Sequence, residues 1–275
     1  MNKSIIIHPT GQMCNQFWIL SNYIADCIEE DRRIAVWLPD FNLNEFDNLV
    51  TSQYVTFPLY PNVIIQSRFF SSYQKLINKI FRNKIALWMI RAILSIIPSV
   101  DFEVADVTCK KSKYKYKHLD KILSILEPKD QRIKKLNQIF KEKTVDSDSI
   151  IIGVHIRYGD YRFMSNGQYF YSLQQYRQKM IEIQSLFDYR NVIFFIATNE
   201  KLDLTHFDGL NIFQIQNGVA LDDLFGLSLC NYILGPPSTF SAWASLFNQT
   251  PLYFIEDINI PIVQDKFIDI KKLWF

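Results

Sequence analysis

The sequence predicts an α/β protein with two doubly wound halves, each built on a parallel sheet, and three observations lead there. Short runs of Ile, Val and Phe recur along the 275 residues with amphipathic stretches between them, the alternation of strand and helix that a parallel sheet requires. Two of the runs, IIIGVHI (150–156) and NVIFFIAT (191–198), are apolar through most of their length, so they read as strands covered on both faces. Polar segments follow the strand ends, where open α/β sheets bind their ligands.

Taken in order, SIIIHP (4–9) is a strand stopped by Pro9, and GQMCNQ is the loop after it. Phe17, Leu20, Ile24, Cys27 and Ile28 then repeat at helical spacing to about Glu30, and RIAVWLP (33–39) is the second strand. Residues 40–70 carry no clear pattern. From 72 to 97 the spacing predicts one long helix with Lys75, Lys79 and Arg82 on one face and an apolar second half. KKSKYKYK (110–117) alternates lysine with tyrosine and is not expected to enter a core; 118–143 reads as short basic helices broken at Pro128, and 144–149 as a link.

The second half begins with IIIGVHI. Ser172 and Gln175 form a capping box, with a helix expected to about Phe187. NVIFFIAT is a strand, NIFQI (211–215) a short one, and NYILG (231–235) and PLYFIE (251–256) two more. LDDLFGLSLC (221–230) and STFSAWASLF (238–247) are helices between them. Two such halves side by side imply a cleft. There is no internal repeat.

Composition excludes disorder: 48 % of residues are apolar and 21 % charged. Charge is uneven, however. Residues 68–143 hold 18 Lys and Arg against 7 Asp and Glu, while the whole chain nets only +2. Such a segment is either a set of solvated helix faces or attracted to something anionic, whether a membrane surface, a lipid-linked phosphate or a nucleic acid. The cysteines at 14, 27, 109 and 230 have no metal-like spacing, and so few in a chain this long imply a reducing cytoplasm. The apolar run at the N-terminus is too short for a signal peptide, and 85–98 is too short to span a bilayer and contains Arg91.

Three strand-end segments carry candidate chemistry: GQMCNQ, HIRYGDY and GPPSTFS. Ser238 and Thr239 open a helix, so their hydroxyls and backbone N–H groups suit a phosphate. Neither GxxxxGK[ST] nor GxGxxG occurs. Arg157 is the candidate to face that phosphate, since a guanidinium stays charged and forks onto two oxygens. His155, two residues earlier, shares its strand face.

GVHIRYGDY resembles the H-x-R-R-x-D-Y segment of the α-1,2-fucosyltransferase family, glycosyltransferase family 11. GQMCNQFWILSNYIA resembles that family's G-G-L-G-N-Q-x-F-x-Y-A segment, IFFIATNE its F-x-x-F-S-D-D segment, and DDLFGLSLCNYILGPPSTFSAWASL its D-x-x-L-M-S-x-C-x-x-x-I-x-x-N-S-T-F-S-W-W-x-A segment. The four fall in family order over almost the whole chain; the basic middle has no counterpart. The resemblance implies a GT-B-like fold of two Rossmann-type domains, with parallel sheets facing a cleft and no catalytic metal. It implies an acceptor-side domain (1–145) carrying the basic insertion and a nucleotide-sugar domain (146–275). It also implies a GDP-sugar donor, GDP-fucose in the family, and transfer with inversion to a glycan or lipid-linked oligosaccharide, as in bacterial surface polysaccharide synthesis.

Residue by residue, Arg157 would neutralise the departing diphosphate, and His155 would contact the nucleotide. Ser238, Thr239 and Phe240 would hold the phosphate and flank the nucleoside. Asn15 and Gln16 would meet the sugar and acceptor. Thr198 falls in the S-D-D position, and Asp223, beside Asp222, is a helix cap or the acid on the guanine side rather than a metal ligand. The sequence offers Asp160, Asp26, Glu29 and His8 as general base; Asp160 holds the motif's acidic position, where it either takes the proton or braces the arginine loop. The chain departs from the pattern at Tyr158, where the family has its second arginine, and at Thr198-Asn199-Glu200. These departures leave open a different nucleotide-sugar donor, or a nucleotide-binding protein without turnover. A third reading, nucleic-acid binding through KKSKYKYK, has no recognised motif behind it. The expected place of action is the cytoplasm, with the basic middle against the inner face of an anionic membrane.

Overall fold

The computed structural model describes residues 2–7, 12–37, 42–58, 72, 73, 75, 76, 79, 80, 83–95, 100–105, 111–144, 148–187 and 191–271. The chain divides into two compact units, Met1–Lys129 and Asp130–Phe275.

In the first unit, β1 (Asn2–Ile7) leads to helix α1 (Met13–Glu29) and β2 (Ile34–Trp37). Then come α2 (Asp47–Val50), β3 (Val55–Thr56), α3 (Lys84–Ser95), β4 (Val100–Ala105) and α4 (Leu119–Ile125). The strands are parallel in the order β3-β2-β1-β4. The expected α1 stripe is the buried one: Phe17, Leu20, Ile24 and Cys27 are fully covered, and Phe17 meets Phe46 edge-on at 5.7 Å. The strand β4 was not anticipated from the sequence, although VDFEVA alternates as a half-buried strand should. The single helix expected over 72–97 is interrupted at Asn83, whose side-chain oxygen accepts the N–H groups of Ile85 and Ala86 at 3.0 and 3.1 Å and so starts α3 afresh.

KKSKYKYK behaves unlike its composition. Residues 111–117 of it lie along a second stripe of α1, formed by Trp18, Asn22, Asp26 and Glu29, which recur once per turn. Ser112 donates its N–H to Asn22 at 3.0 Å and its hydroxyl to Asp26 at 2.5 Å. Lys117 and His118 both reach Glu29, at 2.7 Å, and hold its carboxyl below its ordinary pKa. Lys115 is 3 % exposed, with its ammonium 3.3 Å from the Trp18 ring centroid. A lysine enters this core because its stem is apolar and its charge is met by the indole face.

The second unit opens with α5 (Asp130–Lys143), which the sequence assigns to the basic middle of the first half. The helix packs here because Phe140 sits edge-on against Phe195 and Phe213, at 5.1 and 5.3 Å. There follow β5 (Ile150–Ile156), α6 (Leu173–Ser185), β6 (Val192–Thr198), β7 (Ile212–Phe213), α7 (Ala220–Ser228), β8 (Tyr232–Gly235), α8 (Thr239–Asn248) and β9 (Leu252–Phe254). All five strands are parallel, in the order β7-β6-β5-β8-β9. The Ser172–Gln175 capping box is formed in both directions. On one face of β5, Ile152, Val154 and Ile156 pack into a core that includes Tyr176, Met180 and Ile183 of α6. On the other, Gly153 lets α7 close in, since a Cβ there would stand 2.6 Å from Leu227. The edge strand β9 is covered by Ile268, which exchanges two backbone hydrogen bonds with Leu252. The chain runs outward from β5 to β6 and β7 and then returns to the other side as β8, so the topological switch lies between β5 and β8.

Candidate active site

The candidate site stands at that switch, where β5 gives out. Alternation along the strand puts Gly153, His155 and Arg157 on the face toward α7 and α8. His155 is 2 % exposed; its Nδ1 lies 2.8 Å from the Ser241 hydroxyl, and its ring stacks on Phe240 at 4.9 Å and 32°. Burial, with the Arg157 charge nearby, lowers the imidazole pKa to about 3, so His155 is a neutral hydrogen-bonding group at any ordinary pH. β8 runs against its back. A Cβ at Gly235 would stand 3.0 Å from the His155 Cβ and 3.1 Å from its carbonyl oxygen, so glycine is what lets the imidazole sit there.

Arg157 is also buried. Its Nη2 lies 2.9 and 3.1 Å from the two carboxylate oxygens of Asp160, and its guanidinium centre is 5.4 Å from the Tyr161 ring. Tyr161 donates its hydroxyl to the Pro237 carbonyl at 2.7 Å, tying the Arg157 loop to the loop before α8. The turn between them needs Gly159 at φ +62°, where a side chain is strained. Asn199, at the end of β6, fixes that turn by accepting the Tyr158 N–H at 2.8 Å and donating to its carbonyl at 3.3 Å. An aspartate there could accept but not donate, so the asparagine suits this loop. The Tyr158 ring turns to Phe170, 4.9 Å away, and Arg162 lies 5.7 Å above it while pairing with Glu200 at 3.0 Å.

Around the β8–α8 loop the arrangement differs from expectation in one respect. The Ser238 hydroxyl accepts the N–H groups of Phe240 and Ser241, at 3.0 and 3.3 Å, as an N-cap. Those two donors are therefore closed by the protein itself rather than left open to a phosphate. Thr239 opens α8, and Phe240 faces His155.

The two acids at the start of α7 separate cleanly. Asp222 is the cap: it accepts the Val219 N–H at 2.9 Å and pairs with Arg132 of α5. Asp223 faces the end of β6, where its carboxylate is 3.4 Å from the Thr198 N–H. Burial raises its pKa to about 7, assisted by Asp222. The Thr198 side chain folds back on Glu200 at 3.3 Å.

Of the ten residues singled out, His155, Arg157, Asp160, Ser238, Thr239 and Phe240 gather around β5, β8 and α8, and Thr198 and Asp223 sit on the neighbouring strand end and helix. Asn15 and Gln16 belong to the other unit, in the first turn of α1, where Gln16 is 1 % exposed and its amide oxygen is buried without a hydrogen-bond partner. Sequence reasoning passed over Tyr161, Gly235 and Ser241. All three lie inside quoted segments, Tyr161 at the end of HIRYGDY and Gly235 and Ser241 at the two ends of GPPSTFS, but their roles rest on contacts between elements. Among the described residues, no group of three or more His, Cys, Asp or Glu stands together as a metal site.

Two parallel-sheet units of this topology make a GT-B-like fold, and the family match makes the chain a glycosyltransferase. The glycosyl transferase family 11 model matches residues 51–267, and the chain belongs to that family. Among solved structures the fold is similar to POFUT1 in complex with GDP, with a TM-score of 0.59, 11 % identity, and coverage of 94 % of this chain and 98 % of that one. It is also similar to the fucosyltransferase NodZ from Bradyrhizobium, with a TM-score of 0.57, 16 % identity, and coverage of 93 % and 96 %. NodZ α-1,6-fucosyltransferase soaked with GDP-fucose gives 0.56 at 18 % identity, covering 90 % and 93 %. No curated protein matches this chain in sequence.

Proposed function

We propose that the chain transfers fucose from GDP-fucose to a glycan hydroxyl, with inversion at the anomeric carbon, in the assembly of a lipid-linked or surface polysaccharide. The observation that carries this reading is Arg157: a buried guanidinium, held by Asp160 and Tyr161 at the carboxyl edge of the sheet, beside a neutral histidine. A nucleoside diphosphate needs both, a fixed cation for the phosphates and an uncharged hydrogen-bonding surface for the nucleoside. That similar folds were solved with GDP or GDP-fucose supports the donor.

In the reaction the acceptor hydroxyl oxygen attacks the anomeric carbon while the bond from that carbon to the diphosphate oxygen breaks, and the hydroxyl proton passes to water or to the departing diphosphate. The electron pair leaves with GDP, and Arg157 meets the charge that develops there. Asp160 positions Arg157: both its carboxylate oxygens lie on the guanidinium, so we assign it to orientation rather than to proton removal. Phe240 and His155 flank the nucleoside, and Asp223 reads its base. Tyr158 does not leave the loop with a single cation, since Arg162 covers its ring. The test is GDP release from GDP-fucose with and without glycan acceptors. Acceptor-stimulated release, lost in Arg157→Ala, supports the reading; release from other nucleotide sugars only, or none from any, overturns it.

A further inference from the structure

The exposed apolar face of the first unit has no role in the chemistry above. On α3, Ile85, Trp88, Met89 and Ile93 are 70, 68, 49 and 62 % exposed. Their spacing puts all four on one side of the helix. Leu76 and Ile80, four apart in a segment that is helical where described, are also exposed. A soluble helix normally turns such a stripe inward, so this one is a contact surface.

The charge around it selects the partner. Lys75, Lys79 and Lys84 are exposed alongside, in a stretch of the first unit (68–129) with 13 Lys and Arg against 5 Asp and Glu. A second copy would bring this positive field against itself. An anionic partner would not, and apolar residues with a tryptophan, flanked by lysines, are what a helix lying in a bilayer interface presents. No described helix is long and apolar enough to cross a membrane. We infer that α3, with Leu76 and Ile80, docks the first unit on an anionic lipid surface: the apolar stripe enters the headgroup–acyl boundary and Lys75, Lys79 and Lys84 meet the lipid phosphates. This inference goes beyond the proposed transfer reaction and does not depend on the donor.

The test is co-sedimentation of the full chain with vesicles of phosphatidylcholine alone and with equimolar phosphatidylglycerol. Binding is expected only with the anionic lipid, weakening as salt is raised. Lys75→Gln, Lys79→Gln and Lys84→Gln together should weaken it on the order of a hundredfold, from about 1 kcal/mol per basic residue near the surface. Trp88→Ser with Ile85→Ser should abolish it while raising solubility. Both variants are surface changes, and unaltered melting temperatures and circular dichroism would show that they fold. Equal binding to both vesicle types, binding unaffected by either variant, or no vesicle binding together with self-association through this face would each overturn the inference.

Discussion

HIRYGDY and KKSKYKYK look alike as sequence, each mixing basic side chains with tyrosines, yet they end in opposite roles. In KKSKYKYK the polar groups are answered by one contiguous stripe of α1: Asn22 and Asp26 take Ser112, Glu29 takes Lys117 and His118, and Trp18 takes Lys115. Lys115 is thereby committed to the core of the unit and is not available to a nucleic-acid surface. In HIRYGDY the partners come from several elements, Ser241 and Phe240 from α8, Asn199 from the end of β6, Pro237 from the loop after β8. Contacts from one helix make a strap. Contacts converging from several strand ends make a cradle that holds a cation still. The difference lies in where the partners come from, and composition does not record it.

The comparison breaks most visibly at Arg157. Arg157→Ala is expected to lower kcat by about a hundredfold to a thousandfold, the loss typical of one donor to a developing oxyanion, with little change in melting temperature. Steady-state kinetics with GDP-fucose measures it. An equal loss from Lys115→Ala would erase the distinction between cradle and strap.

The pH dependence of stability separates His155 from Asp223, because their signs oppose. His155 titrates near 3 in the folded chain against 6.5 ordinarily, so as pH falls through that window the unfolded chain takes up a proton that the folded chain refuses, and stability is lost. Asp223 titrates near 7 against 3.8, so as pH rises through that window the folded chain keeps a proton that the unfolded chain has released, and stability is again lost. Each group changes stability by at most ~1.4 kcal/mol per pH unit, and together they nearly cancel. Asp223→Asn should therefore leave stability rising with pH between about 4 and 6 and raise it above pH 7, whereas His155→Gln should leave it falling. Denaturant titrations across pH read both slopes; parallel curves for the two variants would contradict the assignment.

The same acid sharpens the binding reading. A carboxylate that reads guanine must be ionised, so GDP should bind more tightly at pH 8 than at pH 6, with proton release, and Asp223→Asn should remove that dependence. Calorimetry in buffers of different ionisation enthalpy checks it. A smaller effect is expected from Gly235→Ala. Its added methyl would crowd the His155 backbone and Cβ and lower stability by about 1–3 kcal/mol, weakening GDP binding with it. Smallest is Lys115→Ala, expected to destabilise by about 1–2 kcal/mol through the lost contact with Trp18 while leaving GDP affinity unchanged.

Much of this was legible in the sequence, for identifiable reasons. The strands of the second unit announce themselves because burial on both faces leaves no polar position, and the switch-point residues follow from the strand ends. The Ser172–Gln175 cap was readable because it is local. Three kinds of feature were hidden. The interruption at Asn83 competes with a strong helical period on either side. The role of Gly235 depends on β8 lying beside β5, which no local window contains. The Ser238 hydroxyl points to its own helix, a choice that sequence leaves open between cap and ligand. Asn199 reads in sequence as a lost carboxylate; in the fold it is a two-way clamp on the Tyr158 backbone.

The central claim is that the carboxyl edge of the second sheet holds a nucleoside diphosphate on Arg157. Calorimetric titration of GDP into the full chain and into Arg157→Ala tests it most directly. The account predicts saturable binding to the wild type and an affinity at least tenfold weaker in the variant, at about 1.4 kcal/mol or more for a charge-assisted pair. Equal affinity in the two proteins, or no binding to a folded wild type, would contradict it.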